Sequence, residues 1–110
     1  MTGWKPHATE LESFQKKILN PVLFAELGYK SIEYAGSKPW QEYTEFLDNK
    51  IDFDEQANLY QATFNTFWHK EWFKGIFIWK WYYAGNGAPT SFSPQNKPAL
   101  NIISSWYGKY

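Results

Sequence analysis

A chain of 110 residues, 44% apolar and 20% charged, has the make-up of one folded globular domain or a piece of one, and its composition excludes a disordered chain. Lysine plus arginine and aspartate plus glutamate balance at 11 each, so there is no basic field for nucleic acid; with no cysteine there is neither a disulfide nor a thiolate metal site. No signal-type apolar run opens the chain and no stretch of about 18 apolar residues occurs, so a soluble protein is expected and its compartment stays open. The outlier is the aromatic content of 22%, including Trp 7, Tyr 8 and Phe 9. Such rings fill cores, and on a surface they offer flat faces to sugars.

In chain order, Thr9-Glu10-Leu11-Glu12 has the form of a capping box, and Leu11, Phe14 and Ile18 recur at helical spacing, which predicts a helix over 10–19. Asn20-Pro21 breaks it. Val22 to Ala25 then predicts a strand that runs into a carboxylate, Glu26, to give a strand over 22–26. A carboxylate ending an apolar strand costs solvation free energy unless it is paired or reaches a cleft. The mundane explanation is a structural ion pair with a lysine.

Asp52-Phe53-Asp54-Glu55 marks a second helix start, and Ala57, Tyr60, Phe64, Phe67, Trp68 and Trp72 give an amphipathic helix over 54–72 with Asn58, Gln61, Asn65 and His69 opposite. Gly75 introduces "GIFIWKWY", too short for an independent helix, so a strand over 75–81 follows. Alternation puts Phe77, Trp79 and Trp81 on one of its faces. Pro98 suits a first helical turn, and Ala99, Ile102, Ile103 and Trp106 complete a helix over 98–108.

Helix, strand, helix, strand, helix is the alternation of parallel βαβ units, yet two strands neither close a barrel nor cover both faces of a sheet. The expected class is therefore α/β, a part of a larger fold. Both strand-to-helix connections, "LGYKSIEYAGSKPWQEYTEFLDNKI" and "YYAGNGAPTSFSPQN", far exceed the usual 2 to 6 residues or so. In parallel folds such loops leave from the carboxyl ends of the strands, where ligands bind, and Glu26 stands on that edge beside Trp79 and Trp81. A carboxylate beside indoles suits a sugar ring, while core packing is the mundane role for either tryptophan. His7 and His69 have no evident partners, so neither a metal nor another cofactor is expected.

Taken together, "PVLFAELGYKS", "FDEQANLYQATF", "GIFIWKWY" and "NKPALNIISSWY" resemble the C-terminal part of glycoside hydrolase family 113, retaining β-mannanases of the large clan of (β/α)8-barrel glycosidases. The likeness spans residues 10 to 108. It implies the last quarter of a TIM barrel, with Glu26 as the nucleophile ending the seventh strand and Trp79 lining the sugar subsite after the eighth. Trp81, Tyr29 and Trp40 would shape the cleft for a β-glycan or mannooligosaccharide, and Tyr29 would donate a hydrogen bond that keeps Glu26 ionised. The clan's acid/base glutamate follows an asparagine, and this chain contains no Asn-Glu dipeptide. The resemblance thus implies a segment that lacks one of two carboxyl groups, completed by missing strands from the same or another chain, prone to self-association and inactive alone. A non-catalytic carbohydrate-binding or assembly piece is the alternative.

Overall fold

The structure, a computed structural model, describes residues 3–37 and 50–108. Trp40 and most of the acidic part of the first long connection lie outside the described residues.

Helix α1 spans Lys5–Ile18. Its first turn holds Pro6, which fixes a helical φ where no amide donor is needed. The helix therefore starts about one turn before the apparent capping box, and Thr9 is an interior residue whose hydroxyl donates to Lys5 O at 3.0 Å. The capping-box expectation fails because proline and the anchored Trp4 set the start instead. Leu19 closes the helix in the left-handed region at φ 58°, its N–H on Gln15 O.

Strand β1 (Val22–Leu27) and strand β2 (Phe73–Ile78) pair in parallel as a two-stranded sheet, with helix α2 (Phe53–Phe67) between them in sequence. Asp52 caps α2 by accepting from Glu55 N at 2.9 Å, and Asp54 and Glu55 place negative charge on its first turn. The helix ends at Phe67 rather than 72, because Trp72 is already in the turn that leads into the sheet, its carbonyl accepting from Val22 N at 2.7 Å. For the same reason β2 begins at Phe73, before Gly75, and it stops at Ile78, short of the expected Trp81. Helix α3 covers Pro98–Tyr107, close to expectation.

The core lies between the sheet and helices α2 and α3. Tyr60, Phe64 and Phe67 of α2 are fully buried, with Phe73 and Ile76 from the sheet and Ala99, Ile103 and Trp106 from α3. Phe64 stacks on Trp106 at 5.6 Å, and Phe67 meets Phe24, Phe73 and Trp4 within 5.4 Å. Each such ring takes about 150–250 Å² from water, worth several kcal/mol at roughly 25 cal/mol per Å². Much of the aromatic excess is thus core.

The sheet's other face is uncovered among the described residues. Leu23 is 50% exposed and Phe77 is 64% exposed, where a solvated face would carry polar groups.

Candidate active site at the carboxyl end of the sheet

Glu26 is the next-to-last residue of β1 and is exposed. Strict alternation from Phe24 would turn it toward Trp4, Phe67 and Phe73. Between Phe24 and Leu27, however, three steps on β1 oppose two on β2 (Phe24↔Ile76, then Leu27↔Ile78). The extra residue interrupts the ladder beside Glu26, which is exposed while the next residue, Leu27, is buried, the kind of irregularity that a β-bulge makes beside many sites. Among the described residues an ion pair joins Lys70 to Glu12 at 3.6 Å, and Glu26 takes no part in it. Glu26 borders an open hollow of about 440 Å³ with Trp4, His7, Leu27, Gly28 and Tyr29.

Trp79 is joined directly to this edge. Its N–H donates to Leu27 O at 2.7 Å, the carbonyl one residue beyond Glu26. Gly28 then passes so close that a Cβ there would lie 1.8 Å from Trp79 O; only glycine admits this approach. The Trp79–Lys80 peptide bond is cis. The Trp79 indole is 41% exposed with Lys80 Nζ 5.3 Å from its ring centroid, and Trp81 is 58% exposed on the segment that leaves the sheet.

Tyr29 has a different place from the one expected. Thr63 Oγ1 donates to Leu59 O at 2.9 Å and accepts from Trp4 Nε1 at 3.1 Å, so the 2.7 Å contact with Tyr29 must be donated by the tyrosine hydroxyl. That hydroxyl has one proton and it goes to Thr63, not to Glu26. The ring is buried edge-on to Tyr60 at 5.2 Å, and burial raises the pKa of both phenols. Tyr29 anchors the floor beneath the first connection. Trp40 lies outside the described residues.

Four polar residues that sequence reasoning missed hold the two connections in place. Fully buried Gln56 donates from Nε2 to Tyr29 O at 2.9 Å and also reaches Phe92 O and Ser93 O. Gln95 pairs with the backbone of Tyr82, accepting from its N at 2.8 Å and donating to its O at 3.3 Å. Ser31, fully buried, donates to Pro89 O. Lys97 donates to Ser31 Oγ at 3.0 Å and to Ser91 O at 3.2 Å, and burial lowers its pKa. Gln56 was traceable: it shares the stripe of Tyr60, Thr63 and Phe67, where a polar residue must be buried.

Among the described residues no group of three or more His, Cys, Asp or Glu is placed to hold a metal ion, and no helix is long and apolar enough to cross a membrane.

No curated protein sequence matches the chain. Solved structures do. It superposes with a TM-score of 0.81 and 24% identity on a GH113 β-1,4-mannanase solved as a complex, over 97% of this chain and 35% of that one. On the GH113 β-mannanase AaManA from Alicyclobacillus acidocaldarius, in complex with ManMIm, the TM-score is 0.78 at 26% identity over 96% and 34%. The chain thus spans about a third of the length of these structures and is an α/β segment of their TIM barrel, its long connections giving two strands more than a quarter of the length. The sequence model of Glycoside Hydrolase Family 113 matches residues 1–102, nearly the whole chain including both sheet strands and the start of α3, and so the chain belongs to glycoside hydrolase family 113.

Proposed function

We propose that this chain is the nucleophile-bearing segment of a retaining glycosidase acting on β-1,4-mannan or a related β-glycan. The observation that carries this is Glu26, exposed at the carboxyl end of a parallel strand, with Trp79 hydrogen-bonded to the next residue. In a retaining mechanism the Glu26 carboxylate attacks the anomeric carbon and forms a glycosyl ester while the glycosidic C–O bond breaks. A second carboxylic acid protonates the departing oxygen, then takes a proton from the water that cleaves the ester. The two carboxyl groups must stand about 5 to 5.5 Å apart, and we assign the second to the rest of the barrel.

Trp79 would stack on the sugar at the cleavage point, with Trp81 and Trp40 along the cleft. Tyr29 contributes from beneath by fixing the chain just after Glu26. The bare apolar face of the sheet, Leu23 and Phe77, is where the remaining strands would pack, and without them copies of the chain would associate there.

Alone, the chain lacks proton donation, worth about 10² to 10⁴ in rate. Purified chain incubated with mannan should release no reducing ends at an enzymatic rate. Added to the N-terminal two-thirds of a related GH113 enzyme, it should restore hydrolysis. Tight association with that partner, glycan binding and no hydrolysis would favour a non-catalytic carbohydrate-binding role.

A further inference from the structure

Lys97 stands where stability alone would not put a lysine. It is 8% exposed and occupies the N-cap position of α3, where the helix macrodipole disfavours a cation and a hydroxyl or carboxylate is the stabilising choice. Its ammonium also lies 6.0 Å from the ring of Phe53, the first residue of α2. What it gains there is specific. Ser31 Oγ spends its proton on Pro89 O and accepts from Lys97 Nζ at 3.0 Å, while Nζ also donates to Ser91 O at 3.2 Å. Ser31 belongs to the connection that follows Glu26; Pro89 and Ser91 belong to the connection that follows Trp79. Gln56 spans the same two segments, at Tyr29 O and Phe92 O.

We propose that Lys97 is a positioning residue: its ammonium clasps the connection after Glu26 to the connection after Trp79, so that the two move as one unit and the carboxylate and the indole keep a single relative placement. The clasp rests on the hydrogen bonds alone; its consequence for sugar binding rests on the function proposed above.

The absence of cysteine makes the test selective, because Lys97→Cys creates the chain's one thiol. Alkylating that thiol with bromoethylamine in urea and refolding restores an ammonium on a stem of lysine's length. Amide hydrogen exchange is followed over residues 29–32 and 88–94 in the 110-residue chain. Lys97→Met should speed exchange about tenfold in both segments together, with α2 and the sheet unchanged, since charged hydrogen bonds are the strong members of such a network. The aminoethylated chain should regain the original protection. Acceleration in one segment only, or equally throughout the chain, would overturn the clasp. Should Lys97→Met fail to fold, Ser31→Ala decides: exchange must rise across the gap in 88–94, and no change there overturns the proposal.

A second arm titrates mannohexaose against tryptophan fluorescence. Binding about tenfold weaker in Lys97→Met supports positioning, and equal binding removes it. If the unaltered chain binds mannohexaose neither alone nor fused to the N-terminal two-thirds of a related GH113 enzyme, the assignment of Glu26 and Trp79 to a sugar cleft fails, and the exchange result still decides the clasp; where only the fusion binds, the tenfold comparison is made in it.

Discussion

The two faces of the sheet carry similar residues and meet different fates. On one, Phe24, Leu27, Phe73 and Ile76 pack beneath α1, α2 and α3 with Trp4, Phe64, Phe67 and Trp106; on the other, Leu23 and Phe77 lie open, and Glu26 stands exposed at the carboxyl end, beside a register shift. A sheet evolved for water on one side alternates apolar with polar. This one is apolar on both, the pattern of a parallel sheet whose faces are each covered in the finished fold. The covered face supplies the stability of the segment, and the open one holds the surfaces through which it would acquire chemistry.

The largest test of this contrast compares one phenylalanine from each side. Phe67→Ala should cost about 3–5 kcal/mol in urea unfolding, because the fully buried ring leaves a cavity among Phe24, Phe73 and Trp4. Phe77→Ser should stay within about 0.5 kcal/mol and reduce association in sedimentation. Equal costs would mean the faces do not differ.

At the junction of the faces, Gly28→Ala should destabilise by about 1–3 kcal/mol, since the new methyl collides with backbone at Trp79 that has no rotamer to escape through. Tryptophan emission should shift as Trp79 is displaced. A smaller effect, about 1–2 kcal/mol, is expected from Thr63→Val, which leaves Trp4 Nε1 and the Tyr29 hydroxyl without their shared acceptor.

The pH dependence should have two opposing parts. Lys97 has its pKa lowered from 10.5 in the fold, so the unfolded chain binds the extra proton: stability should climb as pH rises from that depressed value toward 10.5, and Lys97→Met should flatten the climb. Tyr29 and Tyr60 are raised from 10.0 by burial. Their contribution is present below pH 10 and lost above it, as the unfolded chain ionises first. Unfolding midpoints across pH 8 to 11 or so would resolve both.

The same contrast explains what could be read without a structure. Helix α2 was plain because Asp52 and the stripe from Ala57 to Phe67 agree, and α3 because Pro98 precedes a one-sided run. The start of α1 was not, because Thr9 and Glu12 imitate a cap at the right spacing while Pro6 and the tethered Trp4 set the real one. The pattern in "GIFIWKWY" continues past Ile78, but a ladder ends when its partner strand does, at Leu27. Glu26 stood out as an acid closing an apolar strand. The register shift beside it left no mark, and the bond between Ser31 and Lys97 joins residues 66 apart that no local pattern connects.

The central claim is that Glu26 is the carboxylate that attacks the sugar. The most direct measurement fuses this chain to the N-terminal two-thirds of a related GH113 enzyme and follows mannan hydrolysis with Glu26 and with Glu26→Gln. We predict an active fusion whose Glu26→Gln form keeps its fold and its mannooligosaccharide binding while turnover falls by about 10³-fold or more. Undiminished turnover in the Glu26→Gln fusion would contradict the assignment.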